Sequence, residues 1–207
     1  MLRIAKSLLT LAIVSIFATV ATRAYFSDSE TSNGNTFTSG TLDLNIDGGN
    51  TNVVKYSITN LSVGRQGGAV YRLKNVGSIP GYLDIHNIVV TNQENDFLDP
   101  EADAGDITPG VGELQDLMSY SMFRDYSCDG NFAWYEGDSY IYGIFEVSTP
   151  LGGIASDYDA NIPLTAGQEI CITSQYKWYN NGPNDNQGQT DSAGLDMTFE
   201  LAQTTAQ

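Results

Sequence analysis

The chain has 207 residues, of which 25 are acidic and nine basic, giving a formal net charge of −16 and a pI near 4.1. A surface this acidic repels phosphate backbones and anionic headgroups, so nucleic-acid binding and direct membrane binding are excluded as expectations. The length suits one good-sized domain, and an all-β sandwich of this size is ordinary.

The first residues read as a secretory leader. Arg3 and Lys6 form a positive start, Ser7 to Ala21 is uncharged and apolar, and Thr22-Arg23-Ala24 places small residues at a cleavage site. The apolar stretch is short of the ~20 residues that span a bilayer. The predicted mature chain therefore begins at Tyr25, outside the cell or at its surface, with six basic and 25 acidic residues and a net charge of −19.

From Thr41 the pattern alternates, with Leu42, Leu44 and Ile46 on one parity, which predicts a strand with one buried face. Asp47-Gly48-Gly49-Asn50 is turn chemistry, and Val53 to Thr59 predicts a neighbouring strand. Further strands are expected over Ala69 to Asn75 and Tyr82 to Thr91, separated by the turn Gly77 to Gly81. Four strands in close succession point to a sandwich rather than to alternating helix and strand.

Asn92 to Asp116 is an acidic stretch with Pro100, Pro109 and several glycines, expected as a surface loop, followed by a short helical turn within Glu113 to Met122. Strands resume over Ser139 to Ser148, Glu169 to Tyr179 and Leu195 to Ala202, the last alternating most cleanly. Asn180 to Gly194 has little to bury and is expected as a hairpin loop or exposed excursion.

No catalytic constellation emerges. His86 is the one histidine, placed in a predicted strand, and neither a zinc helix motif nor a serine-nucleophile motif accompanies it. Asp157-x-Asp159-x-Asn161 begins like a calcium loop, but Ile162 and Gln168 stand where that loop requires glycine and glutamate. The acidic stretch Asp96 to Asp106 offers oxygen ligands without a recognisable spacing, so no cofactor is expected and calcium stays open. Tyr120, Tyr126, Tyr135, Tyr140 and Tyr142 gather in sequence around Trp134, a pattern that serves sugar stacking or, more commonly, an aromatic β core. Cys128 and Cys171 are the only cysteines, and in an exported chain such a pair predicts a disulfide, which the chain-entropy model credits with about 3 to 4 kcal/mol.

Three blocks stand out: AYFSDSETSN at Ala24 to Asn33, NTFTSGTLDL at Asn35 to Leu44, and NLSVG at Asn60 to Gly64 ahead of LKNVGS at Leu73 to Ser78. In these blocks the chain resembles the TasA/camelysin family of secreted fibre-forming proteins. The resemblance implies an all-β, jelly-roll-like sandwich with long acidic loops, polymerising with copies of itself into an extracellular pilus or biofilm matrix fibre. It also implies donor-strand complementation, in which Tyr25, Phe26, Ser27, Asp28, Ser29, Glu30 and Thr31 of one subunit fill a groove in the next. The implied layout is a signal peptide over 1–24, donor strand and linker over 25–36, the sandwich over 37–202 and a tail over 203–207. Camelysin is described as a metallopeptidase, which supplies the rival reading; a monomeric surface adhesin is a third.

Overall fold

In the computed structural model, residues 3–9, 38–50, 52–144, 147 and 149–205 are described. Tyr25 to Thr31, the expected donor residues, lie outside them. Residues 3–9 are helical and belong to a unit covering Met1–Thr38; the second unit, Ser39–Gln207, holds all the strands found among the described residues. Among the described residues no helix is long and apolar enough to cross a membrane.

The second unit is mostly β and sandwich-like, with two antiparallel sheets. The strands are β1 (Leu44–Ile46), β2 (Gln66–Asn75), β3 (Gly81–Gln93), β4 (Met118–Asp125), β5 (Ser139–Tyr142), β6 (Tyr158–Leu164), β7 (Glu169–Trp178) and β8 (Ser192–Ala202). One sheet runs β1-β2-β7-β4-β5 and the other β6-β3-β8. Their facing sides meet in a core that includes Leu73, Leu83, Ile85, Met122, Leu164 and Ile172, all without solvent exposure. Period-two alternation supplies this core from both sheets, since each strand turns every second side chain inward.

β3 departs from that alternation. Leu83 and Ile85 point inward on one parity, whereas Ile88 and Val90 face the core on the other. The register against β8 slips between His86 and Val89, and Asn87 has φ of 51° there. One extra residue on β3 is a β-bulge, and it re-aims the strand so that both halves bury their apolar side chains. The mixed composition of Tyr82 to Thr91 has this cause.

Several expectations are corrected. Val53 to Thr59 forms no strand: side-chain contacts hold it instead, with Tyr56 donating its hydroxyl to the Ser174 carbonyl at 2.8 Å and Lys55 pairing with Asp47 at 2.8 Å. Val54 stays 74% exposed. The helical turn is shorter than expected, Leu114–Leu117, because the following residues continue as β4. β6 was not expected as a strand, and the expected strand through Ser148 is regular only to Tyr142. The excursion after β7 contains a 3-10 turn, Gly182–Gly188, which Asp185 fastens by accepting the Trp178 indole N–H at 2.8 Å.

β1 is three residues long, but the chain before it also runs against β2's end, with the N–H groups of Val76 and Ser78 donating to the carbonyls of Asp43 and Thr41. Gly77 is required at this crossing, since a Cβ there would lie 2.3 Å from the Thr41 carbonyl oxygen.

Candidate functional site

Four strands lie at sheet edges, and they differ in how well they resist further pairing. β1, β5 and β6 have three, four and seven residues, and β6 carries Pro163. Short edges and prolines are the usual protection against unwanted strand addition. β8 has eleven residues and no proline, and among the described residues no strand pairs with its outer edge. Its inward row, Ala193, Leu195, Met197, Phe199 and Leu201, packs on the core but stays partly exposed along its whole length. Phe199 meets Tyr71 of the opposite sheet at 5.2 Å between ring centroids.

A second feature stands at the start of β8. The last pair of the β3–β8 ladder is Gln93 opposite Ser192, which sets Glu94 and Asp191 side by side just beyond it. The acidic stretch then returns to the same place three times, with Glu101 in the helix Asp99–Asp103, Asp106 in the following loop, and Glu113 at the N-terminal cap of Leu114–Leu117. Ligand oxygens of Glu94, Asp106 and Glu113 lie within 4.8 Å of one another, as do those of Glu94, Glu101 and Asp191.

The polypeptide holds most of these carboxylates by one oxygen each. Glu101 Oε2 accepts the Leu98 N–H, and Asp106 Oδ1 accepts the Thr108 N–H at 2.8 Å. Asp191 Oδ2 accepts the N–H groups of Glu113 and Leu114 at 2.6 and 3.2 Å. The Thr108 hydroxyl lies 2.8 Å from both Asp106 Oδ1 and Glu113 Oε1. The remaining oxygens, Glu101 Oε1, Asp106 Oδ2, Glu113 Oε2, Asp191 Oδ1 and both of Glu94, are buried with no hydrogen-bond partner among the described residues. Burial, with added repulsion from Asp191, Glu101, Glu113 and Asp106, pushes Glu94 up to about 7. Glu113 and Asp191 are also raised by burial, against the hydrogen bonds they accept.

Sequence reading marked the 92–116 stretch as acidic but did not assemble this group. Its members come from two loops that only the β3–β8 register brings together, so no linear spacing records them.

Asp157, Asp159 and Asn161 are not among the convergent ligand groups of the described residues. The segment enters β6, where the Asn161 N–H donates to buried Asp84 at 2.6 Å and Asp157 turns to His86. His86 stands between two carboxylates, Nδ1 at 3.4 Å from Asp157 and Nε2 at 3.2 Å from Glu200, in an open cleft shared with Asp84 and Asp159. Hydrogen bonds from Ser156 and the Asn87 N–H hold the Asp157 carboxyl below its ordinary range.

Cys128 and Cys171 form a disulfide with Cα atoms 5.4 Å apart. It fastens the excursion after β4 to β7, beside Asp125, which accepts hydrogen bonds from the N–H groups of Cys128 and Gly130 and the Thr173 hydroxyl. The aromatic cluster divides: Tyr120 is buried and Tyr140 stacks on Phe132 at 4.0 Å, whereas Trp134 and Tyr135 are 79% and 76% exposed.

The metal of a metallopeptidase can be tested against these side chains. A catalytic zinc takes mainly imidazole or thiolate ligands with one open position. Both cysteines are oxidised together, and both nitrogens of His86 face carboxylates. The convergent ligand groups among the described residues contain carboxylates alone and exclude His86. The donor set therefore does not fit a peptidase zinc. No curated protein matches the chain. Residues 2–108, just over half of the sequence, match the family model described as camelysin metallo-endopeptidase, and the chain belongs to this TasA/camelysin family.

Proposed function

We propose that the protein is a structural subunit of an extracellular filament, assembled when the N-terminal segment of one copy adds as a strand to another. The observation that carries this reading is the outer edge of β8, unpaired among the described residues, long and without proline, above an apolar row left half-covered. An added strand would satisfy the edge's backbone groups and place its alternate side chains over that row. In this reading residues 1–24 are a leader, removal of which frees Tyr25 to Thr31 as the donor, with Phe26 its anchoring side chain and Ser39–Gln207 the receiving body. A strongly negative surface keeps the unassembled subunit soluble.

The test compares the mature chain with a form lacking Tyr25 to Asn35. The shortened form is expected to stay monomeric by electron microscopy and light scattering, and a synthetic peptide of Tyr25 to Asn35 should raise its melting temperature and protect β8 amides from exchange. Filaments formed by the shortened protein would overturn the reading.

The family description supports a second reading, a secreted metallo-endopeptidase, for which the open cleft at His86 is the place to look. Casein turnover that is abolished by chelator and by His86→Ala would establish it.

A further inference from the structure

Five carboxylates from two separate loops converge at the start of β8, and this grouping does more than decorate an acidic surface. Glu101 has no solvent exposure and Asp106 only 6%. Each keeps one oxygen bonded to the polypeptide, leaves the other buried without a partner, and belongs to a convergent group with Glu94. A solvated acidic loop would leave its free oxygens to water. Here six oxygens are withdrawn from water with no donor from the rest of the polypeptide, which costs free energy unless a cation, or a proton shared between Glu94 and Asp191, stands among them.

Among the described residues no lysine, arginine or histidine forms an ion pair with any of the five. The missing charge is thus not supplied by those pairs. We propose that the five carboxylates Glu94, Glu101, Asp106, Glu113 and Asp191 form a binding site for a calcium-type divalent cation. The donor chemistry selects the ion. All the donors are hard oxygens, arranged in two groups of three that share Glu94, which suits an ion that takes six to eight oxygens in flexible geometry and completes its shell with water. Magnesium prefers a stricter octahedron and keeps its waters, and zinc favours nitrogen and sulfur.

Glu94 is common to both convergent groups, so it is the central ligand. The cation would tie the end of β3 and the start of β8 to the helices Asp99–Asp103 and Leu114–Leu117. Hydrogen bonds already stitch the same region: Asn92 donates to the Gly112 carbonyl at 2.9 Å, Gln187 to that of Ala104 at 3.0 Å, and Thr190 to that of Asp96 at 2.7 Å. A site framed this way is preorganised, because its ligands sit on backbone that is held before the ion arrives. The role is structural and does not rest on the filament reading.

The full-length exported protein, stripped with chelator, is titrated with calcium chloride by calorimetry and melted with and without calcium. Saturable binding and a raised melting temperature are expected, with magnesium and zinc weaker. Glu101→Gln and Asp106→Asn should each weaken calcium binding at least tenfold, whereas Asp159→Asn, on the other candidate segment, should leave it unchanged. In chelator Glu101→Gln should melt no lower than the parent, since it removes a repelling charge, and this separates a lost ligand from a lost fold. Hydrogen exchange on the unmodified protein gives a location without any variant: calcium should protect residues 94–117 and 189–195. The proposal is overturned by no binding at about 10 mM calcium, well above the affinities of weak extracellular sites, by equal binding in both variants, or by protection confined to other segments.

Discussion

Glu94 and Asp191 face each other across the end of the β3–β8 ladder, one immediately after Gln93 and the other immediately before Ser192, which form its last pair. Two residues far apart in the chain thus become neighbours through strand register. Burial raises the Glu94 carboxyl to about 7, and repulsion from Asp191, with Glu101, Glu113 and Asp106, adds to it.

Removing that repulsion should stabilise the cation-free protein. At pH 8 in chelator, Glu94→Gln is expected to raise stability by on the order of 1 kcal/mol, after allowance for partial exposure. Urea denaturation with and without calcium measures this. In calcium the sign should reverse, because the same substitution removes the central ligand.

Asp125 has the opposite electrostatics. Burial disfavours its charge, but hydrogen bonds from the Gly130 N–H, the Thr173 hydroxyl, the Cys128 N–H and the Ser127 hydroxyl outweigh that effect and lower its pKa. A folded value below the ordinary 3.8 means that its stabilisation is complete above that pH and is lost as pH falls through the depressed value. Asp125→Ala leaves these donors unpaired and should cost about 2 to 4 kcal/mol at pH 7. The variant's thermal melts should also be less sensitive to pH below about 4 than those of the parent.

The disulfide and the Asp125 hydrogen bonds hold the same excursion, so their losses should couple. Replacing Cys128 and Cys171 together by serine is expected to cost about 2 to 4 kcal/mol. Combined with Asp125→Ala, the total should depart from the sum of the separate effects, as contacts sharing a segment do. A double-mutant cycle in urea reads the coupling.

For assembly, Phe26→Asp should abolish filaments while the melting temperature of the isolated monomer stays within about 2 °C of the parent, since in the donor reading Phe26 packs on the neighbouring copy and not on its own domain. Electron microscopy and calorimetry of one preparation report both. Unchanged filaments would remove Phe26 as the anchor and weaken the case for its segment as donor.

Much of the fold was legible because strand formation leaves a local trace. Leu195 to Ala202 alternates cleanly and is the greater part of β8, and Glu169 to Tyr179 matches β7 to within a residue. Where a non-local choice intervened, the reading failed. Val53 to Thr59 has the composition of a strand, yet Tyr56 and Lys55 found side-chain partners on Ser174 and Asp47 and the backbone joined no ladder. Within Glu113 to Met122 the helical spacing of Leu114, Leu117, Met118 and Met122 spans a helix and a strand, since Met122 is buried by β4's pairing with β7 rather than by helical packing.

The sequence by itself determined the acidity, the cysteine pair, the alternation that builds two sheets and the family blocks near the N-terminus. These are properties of composition and of neighbours a few residues apart. Only the tertiary structure decided that β8 ends a sheet with its outer edge unpaired among the described residues, that Asn87 bulges so β3 can change faces, and that Glu94, Glu101, Asp106, Glu113 and Asp191 meet. Edge status and convergent carboxylates depend on which strands pair and in what register, and pairing is set by how the whole core closes rather than by any one stretch of chain.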